Sequence, residues 1–247
     1  MKNAKLGVLM NARNVSCIFF REQFREPAAV LWSILYPCIL CVMLYGLAGN
    51  AVVPVESYAR SVSWFYTYIA ATTALFGLSF YMIGRRESGF VRSFIYKSRA
   101  VSVFLIAHIG THFILSLMYA SVFYMVTRLS FGAPNVLQYL NTLFAYSLIY
   151  LFFAGVGLIV AVLPLRFSSA STLFSVFSFM MLASGFLGAS YSLHASEMSN
   201  SGTRVLINAL FEDPYRLDFI GPVLVFFIAT AFMSRRYFRI QPVGRRY

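Results

Sequence analysis

Long runs without charged residues alternate with short polar segments along the chain. The runs cover residues 27–55, 61–84, 100–127, 129–165, 167–196 and 219–234. A transmembrane helix needs about 20 predominantly apolar residues, so the first five runs are long enough as they stand. The sixth becomes long enough if its helix begins at Pro214, with Asp213 as the N-cap, and continues to Phe238. The pattern therefore predicts six membrane-spanning helices, at about residues 28–48, 62–83, 101–126, 139–163, 169–189 and 214–238.

The segment before the first run has an amphipathic pattern. Residues 1–26 carry seven charged side chains, and several apolar residues fall on one face at helical spacing: Leu6, Leu9, Met10, Cys17, Phe20 and Phe24. Such a pattern is typical of a helix that lies in the membrane interface. A basic tail without fixed structure is the alternative. The outer loop before the last span also contains a short helical segment, from Arg204 to Phe211.

Composition places the chain in the membrane as one domain. Of its 247 residues, 60% are hydrophobic and only 11% are charged, whereas soluble domains carry about 25% charged residues. The net charge of +12 raises the question of nucleic acid binding. The basic residues gather in short loops between apolar runs, so membrane topology and attraction to anionic lipid explain them, and no nucleic acid partner is expected. The fold class predicted is all-α, an integral membrane protein of six helices.

The distribution of lysine and arginine predicts the orientation. If both termini lie in the cytoplasm, the cytoplasmic segments hold 16 of the 20 basic residues. The positive-inside rule therefore favours a multi-pass membrane protein with both termini in the cytoplasm.

The most charged interior segment runs from Gly84 to Arg99. It holds five basic residues and one acid, Glu87, and it joins the second and third predicted spans. Val91, Phe94 and Ile95 recur at helical spacing, which favours a short amphipathic helix on the cytoplasmic membrane surface. A basic loop that only sets the topology, without a partner, is the alternative.

Two motifs stand out in this arrangement: Arg86-Glu87-Ser88-Gly89-Phe90 and the segment from Phe20 to Pro27, Phe-Arg-Glu-Gln-Phe-Arg-Glu-Pro. Together with a proline in the first span, a helical outer loop before the sixth span and a basic tail, they resemble the membrane-spanning permease subunit of the type-2 ABC transporters, which are mostly exporters. The resemblance covers nearly the whole chain.

This resemblance implies a division of labour between subunits. Residues 1–26 would be a connecting helix, with Arg21, Glu22, Phe24 and Arg25 against an ABC ATPase subunit. Residues 84–98 would be the coupling helix that docks on the same subunit. Residues 190–213 would dip into the outer membrane face. Two such permease chains, as a homodimer or heterodimer, would pair with two ATPase copies that bind ATP and Mg. The coupling residues implied are Arg85, Arg86, Glu87, Gly89, Phe90, Arg92 and Phe94.

The chain carries no P-loop motif. No glycine is followed by lysine anywhere in the sequence, so a Gly-x-x-x-x-Gly-Lys-[Ser/Thr] loop is absent. The expectation is a non-catalytic subunit that binds no cofactor itself.

Two histidines and two phenylalanines within the predicted spans are further candidates for functional residues. His108 and His112 are four residues apart on one face of the third span, a spacing that suits a metal or haem but is more typical of an interior polar pair lining the pathway or the subunit interface. No metal site is predicted. Phe174 and Phe177, in the aromatic fifth span, are candidates for the pathway.

The cargo is predicted only as a class. Because the spans lack charge, an amphipathic small molecule or peptide such as a drug or antibiotic fits better than an ion. A lipid-linked glycan is the alternative within the same family. From a different class, an ATP-independent membrane assembly or lipid-handling protein is the alternative.

Overall fold

The computed structural model describes residues 13–23, 25, 31–46, 55–91, 98–131, 133–194, 207, 209–211 and 213–238. Within this part the chain is helical and contains no β-strand. We number seven helices in chain order. They are α1 (13–23), α2 (Leu31–Leu35 with Tyr36–Gly46), α3 (Val55–Thr72, Thr73–Phe80 and Tyr81–Glu87 in succession), α4 (Ser98–Phe131), α5 (Val136–Val162), α6 (Phe167–His194) and α7 (Leu217–Tyr237).

Four of these helices are long and apolar enough to cross a membrane. The stretches are Val62–Glu87, Ala100–Leu129, Val136–Val162 and Leu217–Tyr237. They confirm the all-α prediction and four membrane-length helices in the predicted order. In α2 and α6 the apolar stretches found among the described residues are shorter, Ser33–Met43 and Phe167–Met181. The predicted count of six spans is therefore not confirmed.

The last helix begins later than the sequence predicts. Pro214 and Tyr215 form a turn, and α7 begins at Leu217 with Arg216 in extended conformation as its N-cap. The Tyr215 hydroxyl donates to Oδ1 of Asn141 at 2.9 Å, and its ring stacks on Phe144 with centroids 5.0 Å apart. These contacts with α5 stabilise the turn. A helix that began at Pro214 would move Tyr215 away from Asn141 and Phe144, so the contacts would be lost. Within the predicted outer helix, Ile207 and residues 209–211 are helical.

Two helices contain wide, π-helical turns. In α2 the π-helical segment Leu31–Leu35 ends two residues before Pro37. A proline ring clashes with the carbonyl four residues earlier in a regular α-helix, and a wider turn relieves that clash. The second wide segment is Thr73–Phe80, in the middle of α3. Such segments often mark functional positions in helices.

Among the described residues, helix α5 packs most extensively on α7 and α3. Small residues allow the close approach. A Cβ added at Gly155 would lie 2.7 Å from Cε1 of Phe226 in α7, and one added at Gly157 would lie 3.1 Å from the backbone oxygen of Ala74 in α3. Close backbone approach at small residues is how helices associate in membranes, where apolar burial contributes little between helices.

Gly157→Val is expected to lower the free energy of unfolding by about 1–3 kcal/mol, the usual range for overpacking a close contact. The reason is that the nearest atom across the interface is backbone, which cannot move aside. Gly110→Val is the matched control, since a Cβ added at Gly110 meets nothing within 4 Å. SDS titration followed by circular dichroism would measure both variants. Equal stability of the two would contradict the packing described here.

Candidate functional site

The end of α3 is bound to α1 by three side chains. The Tyr81 hydroxyl donates to Oε2 of Glu22 at 2.7 Å, and Nη2 of Arg85 forms an ion pair with the same oxygen. Nη2 of Arg85 also donates to the Tyr81 hydroxyl. Tyr81 and Arg85 lie four residues apart and so share one face of α3. We call Glu22, Tyr81 and Arg85 the Glu22 clasp.

Three aromatic rings also surround Arg85. Its Cζ lies 5.2 Å from the ring centroid of Phe19, 4.8 Å from that of Tyr81 and 4.2 Å from that of Phe90. Each distance allows a cation–π attraction. The Arg85 side chain is 13% exposed, against 39% for Glu22. The guanidinium is therefore the inner member of the pair and the carboxylate the outer member.

Arg86 points away from the clasp into the bundle. It is fully buried, and its Nη1 donates to the backbone oxygens of Ala161 at 3.0 Å and Leu163 at 2.9 Å. Nη2 donates to the backbone oxygen of Leu165 at 2.5 Å, and Nε contacts Glu87 at 3.3 Å. The last carbonyls of a helix lack partners in the helix itself, and a cation there also complements the helix dipole. Arg86 thus fastens α3 to the connection between α5 and α6.

A tight turn follows at the end of α3. The Ser88 amide donates to the Gly84 oxygen at 2.9 Å, and the Gly89 amide donates to the Arg86 oxygen at 3.1 Å. Gly89 has φ +78°, a left-handed conformation that glycine adopts without strain and that commonly ends a helix.

The predicted coupling segment is described only in part. Residues 84–87 of the predicted coupling helix complete α3, and residues 90–91 are helical again beyond the turn. Arg92 and Phe94 lie outside the described residues, as does Phe24 of the predicted connecting helix. Arg21 and Arg25 are exposed. Because Arg86 is fully buried, a partner could not contact its side chain directly in this conformation.

A cavity of about 760 Å³ opens beside the clasp, between α1, α2, α3, α4 and α6. It is large enough for a drug-sized ligand, whose sites commonly measure about 300–1,000 Å³. Helix α3 contributes the most wall, including Thr73, Phe76, Gly77 and Phe80 from its π-helical segment. Tyr81 and Arg85 line the cavity too, so two members of the clasp also belong to its wall.

The two histidines have different surroundings. His108 is fully buried and stacks between Tyr81 and Phe104, at centroid distances of 5.1 and 5.5 Å. His112 lines the cavity, 4.7 Å from His108 between ring centroids, and its Nδ1 would be 2.8 Å from a Cβ added at Gly77. Among the described residues no three potential ligands come together as a metal site. His108 therefore belongs to an aromatic cluster and His112 to the cavity wall.

The phenylalanines singled out in the fifth predicted span pack against α3 behind the wall. Phe174 is buried and lies 5.7 Å from Phe76 and 6.0 Å from Phe80 between ring centroids, and Phe177 packs on the same cluster. The residues of α6 that line the cavity are Phe167, Ser175, Ser178 and Phe179. Sequence reasoning missed these serines because a hydroxyl in an apolar helix signals no particular neighbour. The spacing of Tyr81 and Arg85 could have suggested a shared contact, but not that Glu22 supplies it.

Comparison with known proteins gives one relative and no family. No family model matches this chain. Protein McbE of Escherichia coli is 27% identical to it over 179 residues, which cover 72% of this chain and 74% of McbE. The chain is thus a distant homologue of McbE, with helices of membrane-spanning length.

Proposed function

We propose that this chain is the permease subunit of an ABC exporter that carries an amphipathic small molecule or peptide. In this proposal six spans cross the bacterial inner membrane with both termini in the cytoplasm. Two permease chains form the pathway, and two copies of a separate ATPase bind ATP and Mg. The order of the helices, the motifs quoted above and the distant similarity to McbE support this assignment.

One observation carries the proposal: the end of α3 lines the cavity and also contacts two other parts of the molecule. Arg85 and Tyr81 hold α1 through Glu22, and Arg86 holds the connection between α5 and α6. A partner that pushes on the turn after Glu87 would move α3 together with α1 and with the start of α6. Packed elements of this kind move as rigid bodies, so a displacement at one end reshapes the cavity between them.

A pull-down with a P-loop ATPase from the same genome tests the assignment. The two chains would be co-expressed, solubilised in mild detergent and captured through a tag on the permease. We expect the ATPase to be retained, and we expect ATP-dependent transport of at least one amphipathic antibiotic or peptide from a panel. An ATPase whose P-loop lysine is replaced is the control, and it should bind without supporting transport. Transport by the purified chain alone, without nucleotide, would refute the proposal.

A further inference from the structure

The cavity has an uneven charge distribution. Its described wall consists of aromatic rings, hydroxyl groups, the Gln23 amide, glycines and one leucine, and Arg85 is the one Asp, Glu, Lys or Arg among these lining residues. Glu22, which neutralises Arg85, does not line the cavity. The cation of this ion pair therefore faces the cavity while the carboxylate lies behind it.

Arg85 has donor groups to spare. Its contacts with Glu22 and with Tyr81 both use Nη2. Within the described part of the chain, neither Nε nor Nη1 of Arg85 makes a hydrogen bond. A guanidinium has five N–H donors in a planar fork that suits a carboxylate, sulfonate or phosphate in bidentate geometry. A bidentate anion would pair Nη2 with either Nε or Nη1, so it would have to share or displace the contact between Nη2 and Glu22. In a low-dielectric setting such a bond is stronger than in water.

The geometry points to the class of cargo and to a competition between the cargo and Glu22 for Arg85. We propose that the cavity binds amphipathic anions, molecules with an aromatic body and one anionic group, and that this group competes with Glu22 for Arg85. This inference rests on the proposed function. An anion that displaces Glu22 from Arg85 would weaken the contact between α1 and α3 at the end of α3 that faces the ATPase in that proposal. The aromatic body would pack against Phe76, Phe80 and Tyr68, which line the same cavity.

Competition predicts opposite effects for the two halves of the ion pair. Glu22→Gln removes the internal competitor and should tighten the binding of an anion. Arg85→Gln removes the anion's partner and should weaken it. If the ion pair only holds α1 on α3, both variants should shift anion binding in the same direction, because either change breaks the same contact between Glu22 and Arg85.

The test uses two fluorescent probes with the same rings. 8-Anilinonaphthalene-1-sulfonate carries a sulfonate, and N-phenyl-1-naphthylamine is the same molecule without it. The full chain would be reconstituted in nanodiscs of zwitterionic lipid and titrated with each probe, with empty nanodiscs subtracted. We expect Glu22→Gln to bind the sulfonate about tenfold tighter and Arg85→Gln about tenfold weaker, the size of one charged hydrogen bond. Binding of the neutral probe should change less than twofold.

An exposed ion pair elsewhere in the chain supplies the control. Arg216→Gln and Asp218→Asn break another ion pair, 3.3 Å long and exposed, in residues that do not line the cavity. They should leave both probes unaffected. The inference is overturned if Glu22→Gln does not tighten sulfonate binding, a result that is readable even if Arg85→Gln does not fold. It is equally overturned if the neutral probe follows the sulfonate. No ATPase is present in this assay, so its failure is separate from failure of the pull-down.

Discussion

Arg86→Met is expected to lower the free energy of unfolding by about 3–5 kcal/mol, the usual cost of breaking a buried charged network from one side. Methionine fills a similar volume but donates no hydrogen bond. The change leaves the backbone oxygens of Ala161, Leu163 and Leu165 without the donors that Arg86 supplies. It also leaves Glu87 without this cation. Arg86→Lys should lower the free energy of unfolding less, because the lysine ammonium keeps the positive charge. It should still destabilise the protein, because an ammonium lacks the planar guanidinium that reaches all three carbonyls.

The matched control for this prediction is Arg166→Met. Arg166 lies in the same connection between α5 and α6, but it is exposed. Its replacement should change the free energy of unfolding by less than about 0.5 kcal/mol, as for most surface substitutions. SDS titration followed by circular dichroism would compare the variants. Equal stability of Arg86→Met and Arg166→Met would show that the buried guanidinium does not hold α3 to this connection.

Ser175→Trp is expected to reduce transport more than tenfold while the protein still folds and still binds the ATPase. Ser175 lines the cavity from α6, opposite the π-helical segment of α3. An indole there would occupy space that the cargo needs. Because Ser175 is exposed to the cavity rather than packed in the core, the larger side chain does not have to displace another one.

The neighbouring residue supplies the control. Val176 is 54% exposed and does not line the cavity. Val176→Trp places the same bulk on the outer face of the same helix, so transport should stay within about twofold of the unmodified protein. ATP-dependent uptake into inverted membrane vesicles would compare the two variants, with ATPase retention in a pull-down as the check on assembly. Equal transport by both would exclude the cavity from the pathway.

The helices could be predicted from the sequence because five of the six apolar runs are long enough to cross a bilayer as they stand. Even so, the predicted ends were approximate. Helix α3 continues to Glu87 beyond the predicted end at residue 83, since Arg85 and Arg86 find partners in α1 and in the connection after α5. Helix α7 starts three residues late, since Tyr215 is held by Asn141. Both shifts come from contacts between segments far apart in the chain, which local patterns do not contain.

The candidate site was predicted in pieces. The sequence singled out Arg85 and Glu22 for contact with an ATPase, and His112 as a member of a polar pair. It did not predict that all three lie beside one cavity. Arg86 shows the same limit. It looks like its neighbour Arg85 in the sequence, yet one lines a cavity and the other is buried against carbonyls. Adjacent residues of a helix point about 100° apart, so which one meets which neighbour depends on how the helices pack.

By itself the sequence determined that this chain is helical and membrane-embedded, because continuous apolar runs of about 20 residues or more with little charge satisfy their backbone in lipid as helices. It also determined that the chain carries no P-loop motif, since no glycine is followed by lysine. The tertiary structure alone decided that Glu22 reaches Arg85 across 63 residues of chain and that the inner side of this ion pair faces a cavity. Hydrophobic runs specify which segments enter the membrane, whereas the partners of the remaining charges depend on the packing of the helices.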